Sequence, residues 1–311
     1  QALPKATAFG VACIDEAISL REAGFDRRIV LLEGLFGPDD LNLICGYRLE
    51  VVVHHDSQLD WLAQTPLITP LDVWLKLDTG MHRLGFEPGR VDEIAARLNA
   101  LPQINAVRYM THFSCADDLE SSDTSEQIEL FNTAVAKKDG ERSLANSAGL
   151  LGWPAARADW VRPGIMLYGS SPLAGRTAEA LELQPVMTLT TRLIAVNVRR
   201  QGDAIGYGAD YRCLEDMPVG VAALGYGDGY PRHASSGTPV LVNGQRAMIA
   251  GRVSMDMICI DLRACPDARV GDEVVLWGDG LPLDEVAAAA GPIAYELLCG
   301  VGSRVQFEYS A

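Results

Sequence analysis

The chain has 311 residues, more than most single hydrophobic cores contain, so one large domain and a smaller one are expected. Its net charge of −15 argues against a nucleic-acid-binding surface and against attachment to anionic membranes. No apolar run approaches the roughly 20 residues that span a bilayer. The seven cysteines form no CxxC pair, so the sequence indicates neither a zinc or other metal site nor a disulfide framework. Unpaired cysteines fit the reducing cytoplasm.

The first 170 residues or so alternate short apolar runs with longer amphipathic segments. This alternation predicts a parallel sheet with covering helices. The predicted strands are residues 8–11, 29–32, 49–54, 73–77, 107–112, 143–146 and 160–162. The predicted helices are residues 14–23, 90–99 and 124–137. A closed (β/α)8 barrel needs eight strands, so the seven strand signals lead us to expect that one βα unit lies outside this sequence.

One lysine interrupts the fourth predicted strand. The apolar run over residues 73–77 is typical of a strand covered on both faces, but it contains Lys76. A buried ammonium group is costly unless it is paired, deprotonated or chemically modified. The loop that follows carries Arg83 at the carboxyl end of the strand, where α/β sheets place their chemistry. The alternative is a lysine that snorkels out of a strand end.

After about Gln184 the sequence becomes rich in β-strand patterns separated by turn signals. The predicted strands are residues 186–198, 219–224, 240–242, 247–249, 257–262 and 274–277. The best helical pattern in this part is residues 282–290. We therefore predict two domains, an α/β domain over residues 1–183 and a mostly β domain over residues 184–311. No low-complexity linker separates them.

Five further segments combine chemically active side chains with small residues. Each alone has a structural explanation, since a histidine at a strand end often only satisfies hydrogen bonds and a glycine-rich segment with tyrosines is usually a turn. The segments are Thr111-His112-Phe113, Asn146-Ser147-Ala148-Gly149, and residues 159–164, 225–232 and 251–256.

Together and in this order, the segments resemble those of the alanine racemase family, whose members use pyridoxal 5'-phosphate (PLP). The resemblance runs from about Ala8 to Val305. It implies a (β/α)8 TIM-type barrel that binds PLP, followed by a mostly β C-terminal domain. It also implies an isomerase that interconverts L-alanine and D-alanine, either to supply D-alanine for cell-wall peptidoglycan or to catabolise it. The sequence does not separate these two roles or fix the tolerance for serine.

The cofactor lysine of the family lies on the first barrel strand, in a segment that resembles KANAYGHG. This sequence contains no such segment. Lys5 begins a similar run, but residues 9–12 match the second strand of the family, so Lys5 is not expected to be the Schiff-base lysine. We expect the natural protein to have a preceding βα unit. The alternatives are a PLP-binding barrel without racemase activity and another PLP enzyme on the same barrel plan, such as a basic amino-acid decarboxylase.

The resemblance also implies residue roles. Tyr226 is the base on the L face of the α-carbon, and a relay through His112 connects it to Arg162. Arg162 also contacts the pyridine nitrogen of PLP. Arg83 and the backbone N–H of Met255 bind the substrate. Lys76 resembles the lysine that carries a carbamate in several members, which makes it a candidate N-carboxylysine.

The implied phosphate site lies at the ends of the last barrel strands. It consists of Asn146, Ser147 and the backbone of Gly164 and Ile165. Ser303 departs from members that have a phosphate-contacting tyrosine at this position. In the family, Tyr226 and Met255 enter the active site of the partner subunit, so the resemblance implies a head-to-tail homodimer.

Overall fold

The computed structural model describes residues 3–309. The chain consists of two units, of which the first ends at Pro163 and the second begins at Gly164. None of the helices in the described residues is long and apolar enough to cross a bilayer. The predicted domain boundary between residues 183 and 184 stays a prediction.

The first unit is built on a parallel sheet whose six strands follow one another in chain order. The strands are β1 (Ala8–Val11), β2 (Arg28–Leu31), β3 (Glu50–Val53), β4 (Leu71–Lys76), β5 (Ile104–Met110) and β6 (Arg142–Ser143). The helices are α1 (Ile14–Glu22), α2 (Asp40–Gly46), α3 (Asp56–Gln64), α4 (Val91–Asn99), α5 (Asp123–Ala134) and α6 (Ser147–Gly152). This order of parallel strands and helices is that of a TIM-type barrel wall and confirms the predicted βα architecture.

The seventh predicted strand, residues 160–162, forms less than a full strand. It contributes one parallel bridge, between Ser143 and Trp160. Backbone hydrogen bonds of 3.0 Å from Trp160 to Arg142 and 2.9 Å from Arg162 to Ala145 nevertheless align it with β6. The ladder stops there because Pro163, the next residue, has no N–H to donate.

A charged network joins the amino ends of the central strands. Glu50, the first residue of β3, is buried and pairs with Arg28, the first residue of β2. It also accepts a hydrogen bond of 2.8 Å from Nε1 of Trp74 in β4. Arg108 of β5 lies 3.6 Å from Glu50 and 2.9 Å from Asp72. Each buried charge therefore has an opposite charge beside it.

The second unit contains a closed barrel of six antiparallel strands, which confirms the predicted mostly β domain. In chain order these are β7 (Leu189–Arg199), β10 (Met217–Ala222), β11 (Pro239–Val242), β12 (Gln245–Ile249), β13 (Ile258–Asp261) and β14 (Glu273–Trp277). The other strands form the hairpin of β8 (Ala204–Ile205) and β9 (Tyr211–Arg212), and the α-helices are α7 (Leu283–Ala290) and α8 (Ala294–Gly300). The hairpin and α8 were not predicted.

The turn between β11 and β12 shows why its sequence predicts a hairpin. Its two residues, Asn243 and Gly244, both have positive φ, 49° and 75°. A two-residue turn of this kind matches the twist of the strands, and asparagine and glycine adopt it at the least cost.

Candidate active site

Lys76 is the last residue of β4, and its side chain is buried with 8% of the residue exposed. The snorkelling alternative is therefore wrong. Asp78 shapes the loop that follows, because its Oδ1 accepts hydrogen bonds from the backbone N–H of Gly80 at 3.0 Å and His82 at 2.9 Å. The loop carries Arg83 on the surface, close enough for its charge to act on Lys76.

His112 follows β5, and the structure places it beside Arg162, as predicted. Nη2 of Arg162 lies 3.4 Å from Nδ1 of His112. The same nitrogen donates to the carbonyl oxygens of Thr111 at 2.7 Å and Leu144 at 3.0 Å, and Nη1 donates to Oγ of Ser143 at 2.5 Å. Nη2 has two protons for these three acceptors, so its contact with Nδ1 shares a proton with a carbonyl bond. Because a guanidinium can only donate, the lone pair of Nδ1 faces it, which favours the neutral tautomer with the ring proton on Nε2.

The electrostatics of this cluster favour a neutral histidine among cations. Burial lowers the pKa of His112 to about 4, and the charges of Arg162, Lys76 and Arg83 act in the same direction. Burial, Arg162 and Arg83 likewise lower the pKa of Lys76 to about 8, against smaller opposing effects of Asp78 and Glu33. Burial lowers the pKa of Arg162 to about 10, so its guanidinium stays charged at neutral pH.

A buried polar network beneath these residues was not predicted from the sequence. Oγ1 of Thr79 and Oγ1 of Thr111 lie 2.7 Å apart, and the side chain of Gln127 on α5 contacts Thr79 and the backbone of His112. Gln127 lies 48 positions from Thr79 along the chain. A threonine after a strand and a glutamine in a helix carry no signal by themselves, so only the fold reveals this network.

Asn146 and Ser147 stand at the start of α6. Asn146 is the N-cap residue, and its Oδ1 accepts a hydrogen bond of 2.8 Å from the backbone N–H of Gly149. Ser147 is buried in the first turn. Gly164 and Ile165 belong to the second unit, where Gly164 precedes the short 3₁₀ helix Ile165–Tyr168.

The second unit brings Tyr226 and Met255 together through their backbones. The N–H of Tyr226 donates to the carbonyl oxygen of Ser254 at 3.1 Å, and the N–H of Gly227 donates to that of Met255 at 2.7 Å. Both side chains are accessible, at 36% for Tyr226 and 53% for Met255. The guanidinium carbon of Arg232 lies 5.9 Å from the centre of the Tyr226 ring. The two predicted motifs therefore form one surface.

The donors at the carboxyl end of the sheet fit an anionic cofactor such as PLP. Arg83 and Arg162 supply cationic donors, while Ser147 supplies a hydroxyl beside a helix start. Among the described residues, no group of three histidine, cysteine, aspartate or glutamate side chains is placed to hold a metal ion. The chemistry of this donor set therefore matches phosphate, phenolate and carboxylate oxygens.

Two family models match the chain. The N-terminal domain of alanine racemase matches residues 1–172, and the C-terminal domain of alanine racemase matches residues 186–309. Among curated proteins, the alanine racemase of Vibrio parahaemolyticus is 52% identical over 306 residues, covering 98% of this chain and 86% of that protein. The alanine racemase of Thioalkalivibrio sulfidiphilus is 54% identical over 309 residues, covering 98% and 85%.

Solved structures show the same similarity in three dimensions. The biosynthetic alanine racemase of Pseudomonas aeruginosa matches with a TM-score of 0.96 and 47% identity, covering 99% of this chain and 86% of that one. The alanine racemase of Acinetobacter baumannii matches with a TM-score of 0.91 and 38% identity, covering 97% and 85%. In sequence and in fold, over nearly its whole length, this chain belongs to the alanine racemase family.

Proposed function

We propose that this protein interconverts L-alanine and D-alanine with PLP as its cofactor, using the residue roles described below. Membership of the alanine racemase family supports the reaction, the isomerase class and the cofactor. The observation that carries the proposed site is the neutral His112 held among Lys76, Arg83 and Arg162 at the carboxyl end of the sheet.

The proposed proton transfer uses one base on each face of the α-carbon. When bound, PLP would supply an electron sink for this carbon, so the residues of the chain need only orient the substrate and move its proton. Tyr226 removes the proton on the L face, and the D face is assigned to the cofactor lysine of the family. A phenol is mostly protonated at neutral pH, so a hydrogen-bond donor must favour the phenolate. His112 suits this role because its Nε2 carries a proton while its Nδ1 accepts from Arg162.

The other proposed roles concern binding. Arg162 would hold the pyridine nitrogen of PLP with a donated hydrogen bond and, because it stays protonated, would favour the unprotonated form of this nitrogen. Arg83 and the backbone N–H of Met255 bind the carboxylate of alanine. Lys76 is proposed as an N-carboxylysine, because a carbamate would convert a buried cation into an anion beside Arg83. The phosphate is held by Asn146, Ser147 and the backbone of Gly164 and Ile165.

The assembly is part of the proposal. The accessible surface with Tyr226 and Met255 is proposed to complete the active site of the partner subunit in a head-to-tail homodimer. We further propose a cytoplasmic protein, which agrees with seven cysteines that are all free, and a domain boundary between residues 183 and 184.

The test of the two-base assignment is Tyr226→Phe in the natural protein loaded with PLP. This change keeps the aromatic ring and removes the group that carries the proton. We expect racemisation in both directions and solvent deuterium exchange at the α-carbon of L-alanine to fall by roughly 10²- to 10⁴-fold. D-alanine should still exchange its α-hydrogen, because the base on its face is unchanged.

The control is Tyr309→Phe, because this tyrosine is 90% exposed and has no proposed role. Its rates should equal those of the wild type. The assignment of Tyr226 fails if its variant exchanges the α-hydrogen of L-alanine at the wild-type rate.

A further inference from the structure

Gln127 is a buried side chain with a complete set of hydrogen bonds. It lies on α5 with 3% of the residue exposed. Its Oε1 accepts from the backbone N–H of Ser114 at 3.0 Å and from Oγ of Ser114 at 3.1 Å. Its Nε2 donates to Oγ1 of Thr79 at 3.3 Å and to the carbonyl oxygen of His112 at 3.2 Å. A buried amide with four partners holds one orientation.

The hydrogen bonds run in one direction, which fixes the position of every proton. The N–H of Ser114 can only donate, so Oε1 of Gln127 must face it. Oγ1 of Thr111 donates to the carbonyl oxygen of Leu77 at 3.0 Å, and it therefore accepts from Oγ1 of Thr79 at 2.7 Å. Thr79 in turn accepts from Nε2 of Gln127. This ordered chain from Gln127 to Leu77 leaves none of its groups unpaired.

The chain of hydrogen bonds connects two segments that carry proposed active-site residues. Residues 77–80 begin the loop that leads to Arg83, and Gln127 packs against this loop at Gly80. There a Cβ would lie 3.3 Å from the Gln127 side chain, and φ is +142°. Residues 111–114 hold His112, and the carbonyl oxygen of Thr111 accepts from Arg162. A single side chain thus touches both strand ends.

We propose that Gln127 is a positioning residue, which fixes His112 relative to the loop that carries Arg83. This inference rests on the proposed function, because His112 and Arg83 have their roles there. We call Gln127 with Thr79, Thr111 and Ser114 the glutamine clamp. Because Gln127, Thr79 and Thr111 are buried, the clamp acts through the two segments that it joins.

The variant that tests the clamp is Gln127→Met, which keeps the length of the side chain and removes all four hydrogen bonds. In the PLP-loaded natural protein we expect kcat to fall about tenfold. A misplacement of about 1 Å at a catalytic group can cost about 10²-fold in rate, and loss of the clamp should displace His112 by less than that. We also expect KM for alanine to rise about threefold, since the Arg83 loop loses its anchor. A role in stability alone would lower the active fraction and kcat but leave KM unchanged.

The matched control is Thr124→Val, one turn earlier on the same helix. Thr124 is fully buried, and its hydroxyl has no hydrogen-bond partner among the described residues. We expect its kcat and KM to stay within twofold of the wild type. Should Gln127→Met fail to fold, Thr79→Val cuts the same chain at Oγ1 and should also raise KM.

A second measurement does not depend on activity. In the PLP-free protein, hydrogen exchange followed by mass spectrometry should become faster over residues 77–83 and 111–114 in Gln127→Met, and remain unchanged in Thr124→Val. Wild-type kinetics and exchange in Gln127→Met would overturn the clamp. A wild-type protein without racemase activity would contradict the proposed function, and the exchange measurement would then decide on the clamp alone.

Discussion

At the scale of single residues, Lys76 is the clearest conflict between charge and burial. Its side chain is buried at the end of β4, and burial with Arg162 and Arg83 lowers its pKa from 10.5 to about 8. Below pH 8 this lysine is protonated in both the folded and the unfolded protein, so the folded state bears the full cost of the buried charge. The lowering of the Lys76 pKa from 10.5 to about 8 corresponds to about 3 kcal/mol of lost stability at pH 7.

The pH dependence of this cost follows from proton binding. Between pH 8 and 10.5 the unfolded protein binds the Lys76 proton and the folded protein does not. The free energy of unfolding should therefore rise with pH over this window through Lys76.

We predict that Lys76→Met raises the free energy of unfolding of the PLP-free protein by roughly 1–3 kcal/mol at pH 7. The gain should vanish by about pH 11, where Lys76 is neutral in both states. Urea denaturation in buffer free of CO₂ measures the effect at both pH values. Lys137→Met, at an exposed position of the chain, should change stability by less than about 0.5 kcal/mol. A less stable Lys76→Met at pH 7 would show that Lys76 is already paired or modified.

The proposed site residues differ in how well the sequence predicts them. Lys76 stands out because it interrupts an apolar run, and His112 and Arg162 stand out because each lies at the carboxyl end of a predicted strand. That His112 and Arg162 meet was implied only by the family resemblance. The partners Thr79 and Gln127 could not be predicted, because threonine and glutamine are ordinary in a loop and a helix. Their role arises only when Gln127 of α5 contacts Thr79 and Gly80 in the loop that follows β4.

At the scale of elements, the two ends of the parallel strands have different tasks. The carboxyl ends carry the proposed site, whereas the amino ends carry the charged network around Glu50. In barrels of this type the amino ends serve stability. Glu50 is 9% exposed at its side chain, and its partner Arg28 is 29% exposed.

We predict that Glu50→Gln lowers the free energy of unfolding by about 1–2 kcal/mol. It removes one carboxylate that Arg28 and Arg108 share, whereas both keep Glu141 and Arg108 also keeps Asp72. The kcat and KM of the folded, PLP-loaded protein should stay within twofold of the wild type. Glu129→Gln, at an exposed position of α5, should alter neither quantity. Urea denaturation and steady-state kinetics on the same samples check both parts, and a large rise in KM would contradict the separation of the two ends.

Most elements of both units could be predicted because their hydrophobic pattern is strong. β4 and β7 were predicted to within about three residues at their ends. The helices α2, α3, α6 and α8 and the hairpin of β8 and β9 were not predicted. All of these except α3 are too short to show a period. The strand predicted at residues 160–162 forms only one parallel bridge, because the backbone hydrogen bonding to β6 ends at Pro163.

At the scale of the whole molecule, the proposed active site takes residues from both units. Arg83, His112 and Arg162 belong to the first unit, and Tyr226 and Met255 belong to the second. In the proposed head-to-tail dimer, each site combines the first unit of one subunit with the second unit of its partner. A twofold dimer then has two equivalent sites of this composition.

This arrangement predicts complementation between two inactive variants, Tyr226→Phe and Arg83→Gln. In a heterodimer of the two, one site receives both substitutions and the other receives none. Subunits mixed at equal amounts and allowed to exchange form heterodimers in about half of all dimers, so the racemase activity should reach about a quarter of the wild-type value.

A mixture of Tyr226→Phe with His112→Gln should recover the same activity, because His112 also lies in the first unit. A mixture of Arg83→Gln with His112→Gln, both in the first unit, should stay inactive, since every site then carries a substitution. Different affinity tags on the two variants allow the heterodimer to be purified and assayed directly. Verified heterodimers of Tyr226→Phe and Arg83→Gln without activity would show that Tyr226 acts within its own subunit.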